Sequence, residues 1–186
     1  MSDAEIDPGR LASLSLCRAA NALEHTTADP SAWFFIILDL NRALYAALVA
    51  ALSALSREGA FDAKLRTEWV QYFENSRSNP NAKAPTSNRV PCLETLLTMA
   101  EARSRSVQPL DLTQEQRAHI IRLNEFRNDL EHVKPESWLL DTTGLPRITK
   151  NVAAAFEQLF ESFQHQLELD EVERTNAALS KLKVGG

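Results

Sequence analysis

The chain has 186 residues, of which 44% are apolar and 24% are charged, and its formal net charge is −5. This is the composition and length of one soluble globular domain, which excludes fibrous, collagen-like and wholly disordered proteins. Only 5 Gly and 8 Pro stand against many Ala, Leu, Glu and Arg residues, a balance that favours helices over a β-sandwich or barrel. We therefore predict an all-α, up-and-down bundle of five or six helices that forms a single domain over residues 1–186.

Charge and cysteine content narrow the function classes further. Because acidic residues outnumber basic ones by 25 to 20, there is no chain-wide basic field for nucleic acid, and any such binding has to be local. Cys17 and Cys92 lie far apart and outside any CxxC motif, so we expect neither a disulfide scaffold nor a thiolate metal site. We interpret both as buried thiols of a protein in a reducing, cytoplasmic compartment.

The N-terminus and the most apolar window bear on membrane targeting. Residues 1–10 carry three acidic side chains rather than a basic region followed by an apolar one, so we expect a frayed tail and no signal peptide. Residues 32–55 are the most apolar window, but they include Asp39, Asn41 and Arg42, and a central charge costs roughly 2.5–3.5 kcal/mol in a bilayer. A buried bundle helix is predicted there, with no membrane partner.

Apolar periodicity, Pro and capping signals predict the helices in chain order. The second helix is the most apolar and should lie at the centre of the bundle. A turn signal at residues 141–144, between apolar pairs, predicts a short irregular or β-like excursion at about residues 137–148. The six predicted helices span about residues 11–25, 29–57, 61–76, 91–104, 113–134 and 151–182.

Residues 75–91 are predicted to form the one long, flexible loop. The segment has no strong apolar periodicity, and it contains Arg77, Lys83 and Arg89 but no acidic residue. Long loops without secondary structure are either functional or simply mobile. Two interpretations therefore stay open: a solvated connection between two helices, or a basic flap that contacts RNA through these three side chains.

Most other residue types that carry chemistry are expected to be structural. No P-loop, GxGxxG, HExxH, GxSxG or EF-hand motif is present. His25 ends the first predicted helix, His119 lies in the first turns of the fifth and His165 lies within the last, and we expect none of them to bind a metal or a cofactor. Large aromatic residues at helical spacing are expected to pack in the core, namely Trp33, Trp69, Phe156, Phe160 and Phe163.

One short segment of the fifth helix combines residues that can act on a phosphodiester. Arg127, Asn128 and His132 lie in the sequence RNDLEH, just before Pro135, which has to end the helix. An Arg side chain clamps a phosphate through a fork of donors, and a His side chain exchanges a proton near neutral pH. Metal-independent RNA cleavage needs a base to activate the ribose 2′-hydroxyl and a cation to offset charge on the scissile phosphate.

The spacing of Arg127 and His132 sets a geometric condition. Residues five apart on a regular helix point about 140° away from each other. The two side chains therefore converge on one phosphate only if the helix loosens before Pro135 or if a second copy of the chain supplies one of them, as in a symmetric dimer. The alternative is structural: Arg127 pairs with Glu131 or Glu125, and His132 caps the helix C-terminus.

The context of this motif, NEFRNDLEHVKPESWLL, resembles the HEPN superfamily of small helical-bundle domains, whose marker is Arg, four to six residues and then His. The polar Asn128 after the Arg is common in ribonuclease-type members of that family. Residues 124–138 resemble the HEPN domains of bacterial plasmid-borne and defence loci, in which Arg-Asn precedes a His, a Pro and a Trp.

The resemblance implies a function and a role for each residue of the motif. Arg127 would contact the scissile phosphate, His132 would act as base or acid, and Asn128 would orient the Arg or the RNA backbone. The family implies a homodimer whose two motifs face a shared cleft and a metal-independent endoribonuclease, often a toxin or abortive-infection effector. An antitoxin protein encoded elsewhere is a possible partner.

Two other interpretations of the chain stay open. The first is a non-catalytic HEPN-like module that uses the same pocket to bind a nucleotide, an RNA backbone or a protein. The second is a structural interaction protein in which Trp33, Phe34 and Phe35 hold subunits together.

Overall fold

A computed structural model gives the fold of the chain, which is all-helical where it is described. The described residues are 6–54, 56, 58–102, 109–132 and 139–185. They contain seven α-helices, a single turn of 3₁₀-helix at Gln164–Gln166, and no strand, which confirms the predicted all-α bundle but exceeds the predicted five or six helices. The helices are α1 (Pro8–Leu23), α2 (Ala32–Ser53), α3 (Ala63–Ser76), α4 (Leu93–Glu101), α5 (Gln114–Glu131), α6 (Leu145–Phe163) and α7 (Leu169–Val184).

Helix α2 lies at the centre of the bundle, as its apolar sequence predicts. It packs against α1, α4, α5 and α6, and most of its residues are buried on all sides. In the described part of the chain it is also the one helix that is long and apolar enough to cross a membrane. Its most apolar window is 72% buried inside the bundle, and a core helix passes the same test of length and composition.

The first and last helices lie side by side and close the bundle. Arg10 pairs with Glu171 at 2.8 Å, and the Ser13 and Thr175 hydroxyls lie 2.6 Å apart. Further along, the Lys181 ammonium donates to Glu24 at 2.6 Å. Because the residue numbers rise together along both helices, α1 and α7 run parallel.

The N-terminal boundary differs from the expected frayed tail over residues 1–10. Helix α1 already begins at Pro8, because Asp7 caps it: the Asp7 carboxylate accepts the backbone N–H of Arg10 at 2.9 Å. Proline suits the first turn of a helix, where its missing N–H costs nothing. The tail prediction is therefore wrong for residues 8–10, while residues 1–5 lie outside the described part.

The C-terminal part of the chain also differs from the prediction, since the long helix expected at residues 151–182 is two helices. Helix α6 ends at Phe163, and α7 restarts at Leu169 after a capping box between Glu168 and Glu171. Upstream, α6 begins at Leu145 because Pro146 stands in its first turn.

The expected excursion at residues 137–148 is consequently helical from residue 145 onward. Residues 139–144 are irregular and hold no strand, and residues 137–138 lie outside the described part.

Helix α3 packs differently from the other helices, because Leu65 is its one buried residue. The indole N–H of Trp69 donates to the carbonyl oxygen of Ser87 at 3.3 Å, so the helix packs on the loop that follows it. The prediction that Trp69 belongs to the core is therefore wrong. The same prediction is confirmed for the other four aromatic residues, which are buried: Trp33, Phe156, Phe160 and Phe163.

A core substitution tests the packing. Replacing the fully buried Phe156 by Ala should destabilise the protein by about 3–5 kcal/mol, because it removes a large apolar side chain and leaves a cavity. Replacing Phe35, which is 60% exposed, should change stability by no more than about 0.5 kcal/mol. Urea unfolding followed by circular dichroism measures both, and equal effects would contradict this packing.

Candidate functional site

The helix that carries Arg127, Asn128 and His132 begins and ends at well-defined residues. At its start, Thr113 and Gln116 form the predicted capping box: the Thr113 hydroxyl accepts the Gln116 N–H at 3.1 Å, and the Gln116 side chain accepts the Thr113 N–H at 2.9 Å. At its end, α5 stops at Glu131. His132 has φ −93° and ψ 87°, which is outside the helical region, while its N–H still donates to the Asn128 carbonyl at 3.1 Å.

The chain thus leaves the helix at His132, before Pro135. The helix end predicted near residue 134, and Pro135 itself, lie outside the described residues.

Arg127 lies in a cluster of polar side chains on the last turn of α5. Its guanidinium pairs with Glu131 at 2.5 Å and donates a second hydrogen bond to the side-chain oxygen of Asn128 at 3.0 Å. The Arg127 side chain is 37% exposed. The ion pair expected in the structural alternative is therefore present, and Asn128 is in a position to orient the guanidinium.

His132 is exposed at the end of the helix. Its imidazole makes no hydrogen bond or ion pair with any residue in the described part of the chain, Arg127 included. The structure therefore brings Asn128 and Glu131 to Arg127 within one chain but does not bring His132 to it.

The surface beside the end of α5 is partly apolar. A depression of about 400 Å³ there is bordered by Phe126, Asp129 and Leu139. The Arg122 guanidinium lies over the Phe126 ring at 4.2 Å and pairs with Glu125 at 2.7 Å. Leu139 is 99% exposed, so an apolar side chain faces solvent close to the motif.

The remaining predicted site residues lie in a different region. Arg77, Lys83 and Arg89 are exposed in the loop of residues 77–92, between α3 and α4. No hydrogen bond or ion pair between described residues joins this loop to Arg127 or His132.

His119 has a polar partner and an acidic neighbour in the described part of the chain. The Asn151 amide and the Nδ1 atom of His119 are joined by a 2.7 Å hydrogen bond, and the ring lies 3.9 Å from Glu115. Within the described ranges, no group of three or more His, Cys, Asp or Glu residues is placed to hold a metal ion.

The cysteines differ from their interpretation as buried thiols. Cys17 is half-buried, and burial raises the pKa of its thiol. Cys92 is exposed at the N-cap of α4, in a groove of about 850 Å³ that Tyr45 and Lys64 also line. Hydrogen bonding to Thr95, whose hydroxyl lies 3.3 Å from the sulfur, lowers the pKa of the Cys92 thiol. The sequence signal for this position is Pro91. Cys92 comes directly after this proline and directly before Leu93, the first helical residue of α4.

Comparison with known proteins adds no family to these observations. No protein-family model, no curated protein and no solved structure matches the chain. Any functional assignment therefore depends on the residues of this chain and on the resemblance of the motif with Arg127 and His132 to the HEPN motif.

Proposed function

We propose that the protein is a metal-independent endoribonuclease of the HEPN type, and that it acts as a homodimer. The observation that carries the proposal is the end of α5, where Arg127 is hydrogen-bonded to Asn128 and an exposed His132 follows directly after the last helical residue. The motif resemblance supports a role as a cytoplasmic toxin or phage-defence effector, with an antitoxin protein as its partner.

The chemistry uses only these side chains and RNA. The imidazole of His132 takes the proton of a ribose 2′-hydroxyl, and the 2′-oxygen attacks the adjacent phosphorus. The bond between phosphorus and the 5′-oxygen breaks, and that oxygen takes a proton from water. The guanidinium of Arg127 donates to the phosphate oxygens as negative charge grows on them. The products are a 2′,3′-cyclic phosphate and a 5′-hydroxyl.

A dimer would bring the side chains of Arg127 and His132 together. Arg127 and His132 do not meet within one chain, so we propose that each site combines Arg127 of one chain with His132 of the other. An isologous interface at the end of α5 places two such sites in one cleft. The exposed Leu139 supports an interface at this place, because a fully solvated leucine next to a functional motif gains free energy when it is covered.

The ion pair of Arg127 with Glu131 favours a second candidate. While Arg127 is paired with Glu131, the Glu131 carboxylate neutralises the positive charge that would bind a phosphate. This ion pair is also consistent with a non-catalytic module. Such a module binds a nucleotide or an RNA backbone, and Arg127 separates from Glu131 only when the ligand binds.

Cleavage of RNA in EDTA tests the proposal. The purified wild-type protein should cut single-stranded RNA or tRNA without metal and leave 2′,3′-cyclic phosphate ends. His132→Ala and Arg127→Ala should each lower the rate by about 100-fold or more, because each loses a group that acts on the transition state.

The matched control is Arg122→Ala, which removes an exposed Arg of the same helix that already pairs with Glu125, and it should retain activity. Intact RNA after incubation with a folded, dimeric wild-type protein would rule out the ribonuclease. Cleavage that persists in His132→Ala would contradict the role of His132 and with it the proposed mechanism.

Opening the ion pair separates the two candidate functions. Glu131→Gln should raise the affinity for RNA by up to about fivefold, because an exposed i,i+4 ion pair holds about 0.2–1 kcal/mol that a phosphate otherwise has to overcome. In a ribonuclease, the cleavage rate at low RNA concentration rises with the affinity; in a binding module, the affinity rises and no product forms. Glu125→Gln, which releases Arg122 instead, is the control, and an equal gain in both variants would contradict a special role for Arg127.

A further inference from the structure

Helix α3 and the loop of residues 77–92 form a unit whose aromatic side chains lie outside the bundle core. The Trp69 ring centre is 6.3 Å from that of Phe61, 5.7 Å from that of Tyr72 and 5.5 Å from that of Phe73. The four rings contact one another while remaining partly accessible, and Phe73 is 38% exposed.

These rings line a cavity of about 480 Å³. Asn88 and Ala84 close it on the side of the loop, and Glu58 lies at its edge. The hydrogen bond from Trp69 to the Ser87 carbonyl holds the loop against the helix. Pockets of this size that combine aromatic walls with a few polar groups are typical of sites for small planar ligands.

The same unit concentrates the positive charge of an acidic protein. Residues 63–92 contain five basic and two acidic side chains, whereas the whole chain has a net charge of −5. Within the described ranges, ten of the sixteen Lys and Arg side chains form ion pairs and six do not. Of these six, Lys150 lies in α6 and the other five lie in this unit: Lys64, Arg66, Arg77, Lys83 and Arg89.

Three of these cations are close in sequence to residues that line the cavity, and one of them, Arg89, lines the neighbouring groove that contains Cys92. Lys83 is next to Ala84 in the chain, Arg89 is next to Asn88, and Arg77 follows Phe73 by one helical turn on the same face. The unit that contains the aromatic pocket therefore carries exposed cations that form no ion pair with a described carboxylate.

We propose that this pocket binds single-stranded RNA, with a base stacked on the rings and the flanking phosphates on Arg77, Lys83 and Arg89. Proteins that hold single strands use this combination, because every base has a face that stacks and every linkage has a charge. The aromatic face is otherwise unexplained, since core aromatic residues such as Phe156 are fully buried. The choice of RNA as the strand rests on the proposed ribonuclease function.

The polar groups of the pocket point to a preference among bases. The Glu58 carboxylate can accept from an exocyclic amino group, and the Asn88 amide can both donate and accept. Adenine and cytosine carry such an amino group and uracil does not. An oligoadenylate should therefore bind more tightly than an oligouridylate of the same length.

Binding is measured by fluorescence anisotropy with a labelled nine-residue oligoadenylate RNA. The protein carries His132→Ala as a background so that the RNA stays intact, which a gel verifies. Trp69→Ala and Phe73→Ala should each weaken binding by roughly tenfold, in keeping with base stacking on an aromatic ring. Phe35→Ala, which removes an exposed aromatic ring of α2, is the matched control and should bind like the background protein.

The contribution of the cations appears in the salt dependence. Replacing Arg77, Lys83 and Arg89 together by Gln should lower the slope of log affinity against log salt by about 2, since each phosphate contact on a single strand contributes about 0.7. Lys150→Gln, which removes the unpaired cation outside the unit, should leave the slope unchanged.

Trp69→Phe keeps the site testable if Trp69→Ala fails to fold. It should bind RNA within about threefold of the background, because Phe still stacks, but it should lose the quenching of tryptophan fluorescence that RNA causes. Unchanged affinity in both Phe73→Ala and Trp69→Ala would overturn the proposal. Equal affinity for single-stranded RNA and for an RNA duplex, whose bases are not free to stack, would also overturn it. The same holds if Trp69→Ala dissociates the dimer without changing the affinity for RNA.

The test distinguishes this site from the proposed catalytic site. RNA binding by a wild-type protein that cuts nothing would support the pocket and count against the ribonuclease. Cleavage by a protein whose RNA affinity Trp69→Ala and Phe73→Ala leave unchanged would overturn the pocket alone.

Discussion

The burial of α2 is the constraint on which the rest of the structure depends. This helix is apolar on nearly every side, and α1, α4, α5 and α6 cover it. Its two buried polar residues, Asp39 and Asn41, each have a polar partner. The buried Asp39 carboxylate pairs with the guanidinium groups of Arg18 at 3.2 Å and Arg42 at 3.4 Å. Both cations lower the pKa of the Asp39 carboxyl, but burial has the larger effect and raises it. Asn41 donates to the side-chain oxygen of Asn124 at 3.3 Å. The contacts with Arg18 and Asn124 join α2 to α1 and α5.

The contact between Asn41 and Asn124 links this core to the candidate catalytic site. Asn124 lies on α5 one turn before Arg127, next to Leu123, which with Ile120 forms the buried side of this helix. Phe126 and Leu130 still pack partly against the core near the end of α5, whereas Glu131 and His132 are exposed. The Arg127 cluster at this end is partly exposed to solvent, and in the proposed mechanism a second chain completes the site.

Much of the fold follows from local sequence signals, and the exceptions have physical causes. Thr113 with Gln116, and the apolar run of α2, are signals that a single sequence carries in full. The break between Phe163 and Leu169 is less visible, because apolar periodicity continues across it and only Glu168 with Glu171 marks the new start. Trp69 has the spacing of a core residue, but spacing does not reveal that α3 packs on a loop instead of on the bundle.

The candidate functional sites could also be predicted only in part from the sequence. The pairing of Arg127 with Glu131 is an i,i+4 relation that the sequence predicts. Helix geometry predicts that Arg127 and His132 meet only if the helix loosens or a second chain supplies one of them. The aromatic pocket could not be predicted, because it depends on how residues 84–88 fold back onto α3. If both proposals hold, the end of α5 carries the chemistry and the pocket on α3 binds the strand, so an acidic protein binds RNA locally.

The claim that two chains build one site is tested most directly with a heterodimer of Arg127→Ala and His132→Ala chains, purified through two different tags. One of its two composite sites keeps both side chains, so the heterodimer should recover about half of the wild-type cleavage rate although each mutant homodimer is inactive. A heterodimer as inactive as the two homodimers would contradict the account and show that Arg127 and His132 do not act across the interface.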